Sequence, residues 1–200
     1  EVIPNMIVPS ELCNKSKQFD PKEFQRFDFK IISVGRMSPE KNMILCPHIA
    51  SLLKKSGMSF GWILIGDGGE EQKIKNAIEQ LGLKNDVIMV GKKSNPYPYI
   101  VSADIMVHPS LVESQGITLL ESMVLKTPVV AVASEGPQEF INTGENGYLV
   151  DNNVEEIVHT IEMLYTNTSL RKLIADNAAK DVQRFGCKEI MEKIKKVFEK

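Results

Sequence analysis

Six short apolar runs, each followed by a segment with helical character, constrain this chain more than any other feature of its sequence. In the run Ile105 to His108, apolar residues follow one another without alternation, which is typical of a strand buried on both faces. Strands that alternate with helices predict a parallel sheet with helices on both faces. We therefore predict an α/β fold, a Rossmann-like doubly wound parallel sheet of about six strands with a helical C-terminus. The predicted strands span residues 29–34, 62–65, 86–90, 105–108, 128–132 and 148–150.

The segments between these runs carry start and stop signals of helices. Ser38 and Pro39 predict the start of the first helix, and Gly57 predicts its end. Gly82 stops the next helix, and Gly116 opens a central one. The predicted helices span about residues 39–55, 70–81, 99–102, 116 onward, 138–141, 154–166, 169–183 and 187–199.

Residues 1–27 look irregular, with Asp20-Pro21 and a charged run that ends at Arg26. We predict an interdomain linker or remnant over residues 1–27 and one domain over residues 28–200, since 200 residues suit a single domain. The first residue is Glu rather than Met, which leads us to expect a fragment of a longer chain.

Composition narrows the classes of function. The chain is 42% hydrophobic and 25% charged with a net charge of −2, as in a globular protein without a nucleic-acid footprint. No apolar run approaches the roughly 18 residues of a membrane span. The three cysteines are far apart and lack metal-ligand or redox spacing, so free thiols in a reducing cytoplasm are expected.

Two glutamates flank the turn between the fourth predicted strand and the central helix. Seven residues separate Glu113 from Glu121. If both lay on one helix, eight steps of about 100° would place them about 80° apart. If Glu113 lies in the loop, both can face one crevice at the carboxyl end of the strand, where open α/β sheets bind ligands. The pair could perform acid–base chemistry, accept hydrogen bonds from sugar or ribose hydroxyls, or have no function.

Two cations, Arg36 and Lys41, follow the first predicted strand. Beside backbone N–H groups at a helix start they would hold a phosphate or diphosphate; solvated surface charges are the alternative. Gly116, Ile117 and Thr118 begin the central helix, where unpaired N–H groups and the positive end of the macrodipole favour an anion. These residues together predict an anion site of low specificity.

Other polar and glycine-rich positions are less informative. The turn Gly66-Asp67-Gly68-Gly69 would let the backbone approach a ligand, but it matches neither the dinucleotide fingerprint nor the P-loop, and a tight turn is the alternative. His108 ends an apolar strand and is predicted to be a satisfied core histidine. Asp104, Ser110 and Glu139, near strand ends, are each predicted to be structural when taken alone.

Several of these pieces occur together in one order. It begins with Gly35-Arg36 and Lys41-Asn42, continues with Ile65–Gly68 and Pro109–Met123, and ends with Thr127–Ala131 and Asn146–Val150. The series resembles the C-terminal, donor-binding half of the group 1 (family four) glycosyltransferases of the GT-B fold, over about residues 28 to 183. Gln115 departs from the pattern, since many relatives have Phe or a similar apolar residue there.

The resemblance implies roles for matching residues. Arg36 and Lys41 would bind the diphosphate of the sugar donor and neutralise the charge of the leaving nucleotide, and Glu113 would hydrogen-bond the transferred sugar; these three are the candidate catalytic residues. Glu121 would hold the ribose hydroxyls. The remaining candidate donor-binding residues are Gly35, Gly66, Gly68, Gly91, Lys92, Ser110, Gly116, Ile117 and Thr118.

The resemblance also implies a whole-protein activity. It predicts a retaining glycosyltransferase that uses a UDP-, GDP- or similar nucleotide sugar without a metal or other cofactor, in cell-surface polysaccharide or glycolipid synthesis. The acceptor, a sugar or lipid-linked sugar, would bind an N-terminal domain that this chain lacks, so the fragment alone should be nearly inactive. A cytoplasmic location is expected, on the inner face of the membrane if the full-length enzyme associates with it. The alternatives are a non-catalytic nucleotide-sugar scaffold or sensor and another GT-B enzyme, such as a nucleotide-sugar epimerase.

Overall fold

The computed structural model, which describes residues 6–186, 190, 191 and 195, contains one six-stranded parallel sheet. The strand order is β3-β2-β1-β4-β5-β6, so the direction in which the chain adds strands reverses between β1 and β4. This arrangement confirms the predicted α/β, Rossmann-like doubly wound fold. The strands are β1 (Lys30–Val34), β2 (Gly61–Ile65), β3 (Val87–Met89), β4 (Ile105–His108), β5 (Val129–Val132) and β6 (Tyr148–Val150).

Helices cover both faces of the sheet, as its apolar strands require. Successive strand residues point to opposite faces, so Ile31 packs in one core cluster and Ile32 in the other. Both are fully buried, as is Trp62 on the face shared with Ile31. The α-helices are α1 (Pro9–Lys15), α2 (Leu45–Lys55), α3 (Glu71–Gln80), α4 (Tyr97–Ser102), α5 (Ile117–Val124), α6 (Glu135–Gln138), α7 (Val154–Thr166) and α8 (Thr168–Asp181).

The helix predicted to run unbroken from Pro39 is interrupted. A short 3-10 helix spans Pro39–Lys41, and α2 begins only at Leu45. Asn42, between them, adopts a left-handed conformation (φ 50°, ψ 32°). Asn tolerates this region better than most residues, and one such residue is enough to end a helix. The break leaves Lys41 at the end of a separate turn.

The segment predicted to be irregular is partly helical. It contains α1 and a second 3-10 helix, Lys22–Phe24. The side chains of Leu12 and Phe24 are buried in the core, and α1 contacts α4 and α5. The N–H of Ile7 donates to the carbonyl of Phe185 over 3.0 Å, so the segment is also bound to the chain that follows α8.

Two short helices differ in their bounds from the predictions. The predicted short helix at 138–141 lies at Glu135–Gln138, and the one at 99–102 begins at Tyr97. A third 3-10 helix, Val182–Phe185, follows α8. The helix predicted over 187–199 lies largely outside the described residues. The domain boundary at residue 27 stays a prediction.

Candidate functional site

The candidate residues gather at the carboxyl ends of the strands on both sides of the switch point. Gly35 and Arg36 follow β1, Gly66 follows β2, and Pro109 follows β4. Because the chain reverses its direction of strand addition between β1 and β4, the loops after these two strands diverge and leave a crevice. The predicted site and the crevice that the topology creates therefore coincide.

Backbone contacts between the loops fix one wall of this crevice. The N–H of Gly35 donates to the carbonyl of Ile65 (3.0 Å), and the N–H of Gly66 donates to the carbonyl of Gly91 (3.1 Å). Gly66 has φ 147°, and a Cβ on it would lie 1.8 Å from the carbonyl oxygen of Gly35. A side chain is therefore excluded at this position by the neighbouring loop, before any ligand is considered.

Gly68 makes a similar close contact one turn later. It has φ 151°, and a Cβ would lie 2.4 Å from the carbonyl oxygen of Met37. Met37 itself donates its N–H to the carbonyl of Asp67 over 2.7 Å. The glycine-rich turn thus has a structural reason to be glycine-rich, and its contact with a nucleotide stays a prediction.

A cleft with basic side chains lies beside these loops. Its volume is about 300 Å³. Arg36 and Lys92 are exposed, and the chain around Pro96 closes the cleft on the side of α4. Cations in a concave site at strand ends suit an anionic ligand. The cleft is lined by Val34, Gly35, Arg36, Ile65, Gly66, Asp67, Lys92, Lys93 and Pro96.

Glu113 lies in the loop before α5, as the second of the two sequence alternatives required. Its Oε2 is 2.5 Å from Nζ of Lys41 and 3.1 Å from Nε2 of His108. The hydrogen bond to His108, followed by the hydrogen bond and charge of Lys41, lowers the pKa of Glu113 to about 2, although partial burial acts in the opposite direction. Glu113 is therefore ionised at neutral pH and accepts hydrogen bonds.

His108 has a closer relation to the site than the sequence indicated. It is buried at the end of β4, as predicted, but it is only partly satisfied. Since an ionised carboxylate cannot donate, Nε2 must carry the proton shared with Glu113. Within the described residues, Nδ1 is buried without a hydrogen-bond partner. The carboxylate five residues along the chain was the available sequence signal, but spacing alone did not show that the loop folds back.

Ser110 holds the Lys41 turn against the Glu113 loop. Its hydroxyl oxygen lies 3.2 Å from the carbonyl oxygen of Glu40 and 2.9 Å from that of Val112, so the two acceptors share its single proton. Ser110 is fully buried. The charges of Arg36 and Lys41 both lower the pKa of Glu40, after the larger effect of its hydrogen bond from Ser38. Both cations therefore lie within electrostatic reach of one carboxylate near the crevice.

The start of α5 lies between the two glutamates. Gly116 is the N-cap, Ile117 is exposed, and the first N–H groups have no acceptor within the helix. The loop before it is supported by Gly136, whose N–H donates to the carbonyl of Glu113 (2.9 Å). A Cβ on Gly136 would lie 2.6 Å from backbone atoms of this loop. The sequence alone does not indicate this supporting role of Gly136.

Glu113 lines a second cleft. Its volume is about 350 Å³. Ser134 lies in it at the N-cap of α6, and within the described part of the chain its buried Oγ has no hydrogen-bond partner. The cleft is lined by Leu111, Val112, Glu113, Ser114, Ser134 and Glu135.

Glu121 is hydrogen-bonded to a tyrosine of α4. Its Oε1 accepts a hydrogen bond of 2.8 Å from the hydroxyl of Tyr97, the first residue of α4. Burial raises the pKa of Glu121, while the bond from Tyr97 and the charge of Lys15 act in the opposite direction. The sequence reasoning did not identify Tyr97, because nothing in the local pattern indicates which helix faces α5.

Comparison with known proteins identifies the family of this chain. The profile described as "Glycosyl transferases group 1" matches residues 14–181. The chain belongs to the group 1 glycosyltransferases. A related protein is the poly(ribitol-phosphate) alpha-N-acetylglucosaminyltransferase of Staphylococcus aureus, which is 30% identical over 177 residues, 86% of this chain and 36% of the relative.

Solved structures of the same family superpose on the chain. One is a crystal structure of a mutant of S. aureus TarM in complex with fondaparinux, alpha-GlcNAc-glycerol and UDP (TM-score 0.80, 29% identity, 92% of this chain and 38% of that one). Another is the C-terminal domain of the group 1 glycosyl transferase LpcC from Francisella tularensis (TM-score 0.74, 26% identity, 85% of this chain and 94% of that one). The chain thus corresponds to the C-terminal domain of this glycosyltransferase family and spans less than half the length of the relative and of TarM.

Two further properties concern the described residues only. No helix among them is long and apolar enough to cross a membrane. No group of three or more His, Cys, Asp or Glu side chains in residues 6–186 is arranged to hold a metal ion.

Proposed function

We propose that this group 1 glycosyltransferase domain binds the nucleotide-diphosphate sugar of a retaining glycosyltransferase. The observation that carries the proposal is the set of groups at the strand ends beside the switch point. Lys41 pairs with the ionised Glu113, the start of α5 lies next to Glu113, and Arg36 lines the cleft beside β1. These groups offer positive charge and N–H donors on one side and a fixed acceptor on the other. A sugar diphosphate needs both.

Each charged group has a part in the proposed transfer. When the bond between the anomeric carbon and the diphosphate oxygen breaks, the nucleotide leaves with both electrons, and negative charge builds up on its phosphate. A hydroxyl oxygen of the acceptor bonds to the anomeric carbon, and its proton passes to the departing phosphate. Arg36 and Lys41 would stabilise that charge, in the role that a metal ion plays in other transferases. Glu113, ionised at neutral pH, would accept a hydrogen bond from a hydroxyl of the sugar and hold it in place. No metal or other cofactor enters the proposal.

The remaining features of the proposal concern the rest of the protein. The sugar acceptor would bind a second, N-terminal domain facing the crevice, and turnover would require both domains. The acceptor would belong to cell-surface polysaccharide or glycolipid synthesis, which agrees with the polymer named for the S. aureus relative. The presence of UDP in the TarM crystal makes UDP the first nucleotide to test, with GDP second.

Calorimetric titration of the chain with UDP, GDP and their sugars tests the proposal directly. We expect binding of one nucleotide in the micromolar to millimolar range and a loss of about 10-fold or more in Arg36→Ala, because one charged contact to phosphate is removed. Lys126→Met is the control. Lys126 precedes β5, away from the crevice, and its exposed side chain pairs with Asp176 of α8. Absence of binding for every nucleotide at millimolar concentration would contradict the proposal.

A longer protein that includes both domains separates a catalyst from a scaffold. In it, Glu113→Ala should abolish most sugar transfer while nucleotide binding persists. A scaffold or sensor would show no transfer even before the substitution.

A further inference from the structure

The hydrogen bond between Tyr97 and Glu121 is not explained by the proposed function. The two residues lie in different helices, and the phenol donates to only one carboxylate oxygen, Oε1, at 2.8 Å. Tyr97 is half-buried, and so is Glu121. An ionised carboxylate has two oxygens and about four acceptor positions, so this contact leaves Oε2 as a second acceptor.

Hydrogen bonds fix the backbone at Tyr97. Its N–H donates to Oδ1 of Asn95 (3.2 Å), and the amide nitrogen of Asn95 donates to the carbonyl of Lys15 and to Oε1 of Gln18, both over 2.9 Å. Pro96 restricts the backbone between them. The phenol therefore reaches Glu121 from a short segment that is fixed at its base, and little rotational freedom remains to be lost when a ligand arrives.

The protonation state of Tyr97 favours a lasting hydrogen bond to Glu121. Burial, followed by the hydrogen bond and charge of Glu121, raises the pKa of the Tyr97 phenol, so the hydroxyl keeps its proton and remains a donor across the physiological range. Pro96 lines the cleft that holds Arg36 and Lys92, so the start of α4 adjoins the place proposed for the nucleotide. Tyr97 and the ligand would then share one carboxylate.

We propose that Tyr97 is a positioning residue of the nucleotide site. It fixes the carboxylate of Glu121, the residue that the family resemblance assigns to the ribose hydroxyls, so that Oε2 faces the ligand and the preference for ribonucleotides over 2′-deoxyribonucleotides depends on Tyr97. This inference rests on the proposed function. A carboxylate held by one protein donor needs no reorientation to accept a second donor from the ligand. A deoxyribose offers one hydroxyl fewer to a carboxylate that has been desolvated in advance, and the unmade bond is costly.

The test is the preference of the chain for UDP over 2′-deoxy-UDP, measured by calorimetry for the unmodified protein and for Tyr97→Phe. If GDP is the nucleotide that binds, GDP and 2′-deoxy-GDP replace them. We expect a preference of about 10-fold for the ribonucleotide in the unmodified protein. In Tyr97→Phe the affinity for the ribonucleotide should fall about 5-fold or more, while that for the deoxynucleotide changes less than about 2-fold. The preference should therefore largely disappear.

Tyr99→Phe is the matched control, because Tyr99 lies on the same helix and donates to Oε1 of Glu23 (3.2 Å) instead of Glu121. It should leave the preference unchanged. Glu121→Gln tests the other partner of the same hydrogen bond. It should lower the preference by itself, and adding Tyr97→Phe should lower it no further, since both act through one contact.

Three results would overturn the inference. They are no preference in the unmodified protein, an equal loss for both nucleotides in Tyr97→Phe, and additive losses in the double variant. If no nucleotide binds the unmodified chain, the proposed function itself fails. If nucleotides bind and only the preference is unaffected, the proposed function stands and the role of Tyr97 does not.

Discussion

Lys41 and Glu113 form an ion pair across the crevice, with 2.5 Å between Nζ and Oε2, although 72 residues separate them in the sequence. Both side chains are largely withdrawn from water, with 23% and 14% of their surfaces exposed. A ligand diphosphate would therefore find Lys41 already engaged and would have to share it with Glu113. Nucleotide binding should still depend on Lys41, because its ammonium group has N–H donors left for the diphosphate.

Removing the cation tests this dependence. In Lys41→Met, nucleotide affinity should fall about 10-fold or more, because a charge-assisted hydrogen bond to phosphate contributes roughly 1.5–3 kcal/mol. The measurement is calorimetric titration with the nucleotide that binds the unmodified chain. Lys126→Met, which removes a lysine far from the crevice, should leave the affinity unchanged. Equal affinity in both variants would show that Lys41 does not contact the nucleotide.

His108 should influence the sugar rather than the nucleotide. It contacts Glu113 Oε2 at 3.1 Å, and Glu113 is the proposed partner of the sugar. In His108→Leu, affinity for the nucleotide sugar should fall about 3- to 10-fold while affinity for the free nucleotide stays the same. His108→Gln can still donate to the carboxylate and should recover part of the loss. His48→Gln, at an exposed position on α2, is the control, and parallel losses for both ligands would refute the assignment.

Stability should depend on pH through Glu113. Its pKa is lowered from the ordinary value of 4.5 to about 2 in the folded protein. A lowered folded-state pKa stabilises the protein above the unfolded-state value and loses this effect as the pH falls toward the folded-state value. Comparing urea unfolding of the unmodified protein and Glu113→Gln, we expect the difference to be largest at pH 6–7 and to shrink between about pH 4.5 and 2. By linkage it is at most roughly 3 kcal/mol. A difference independent of pH over this window would contradict the ionic origin.

Substitution of Gly68 should destabilise the fold, whereas substitution of its neighbour Gly69 should not. A Cβ at Gly68 would lie 2.4 Å from the carbonyl oxygen of Met37, and its φ of 151° is unfavourable for other residues. Gly68→Ala should lower the free energy of unfolding by about 2 kcal/mol or more, because the obstructing atom belongs to the backbone. At Gly69 a Cβ meets no atom within 4 Å, so Gly69→Ala is the matched control. Similar urea midpoints for the two variants would show that the turn can relax.

The sheet could be predicted because its information is local. Each strand is an apolar run bounded by turn residues, and the alternation with helices determines the parallel arrangement. The break at Asn42 could not be predicted, since Ser38 and Pro39 form a proper helix start and only the observed left-handed conformation ends the turn at Lys41. Helix α1 was missed because its main stabilising contact is the burial of Leu12 against other elements.

Some features of the candidate site could likewise be predicted from the sequence, and others could not. The residues at the strand ends could be named from the sequence, and so could the alternative that Glu113 lies in a loop. The pairs Lys41–Glu113 and Tyr97–Glu121 could not, because they join segments 72 and 24 residues apart. Such proximities follow from the packing of loops and helices, which no local pattern records.

The bond between Ile7 and Phe185 also has a consequence for how the domain folds. Closing a loop costs conformational entropy that grows with its length, so contacts between distant residues form late unless other structure has already brought them together. The parallel pairs of β1 to β6 supply that structure, and the segment before β1 can dock only afterwards. Because α1 contacts α4 and α5, the helices that carry Tyr97 and Glu121, this half of the crevice should be completed in the last step of folding and should open first in hydrogen exchange.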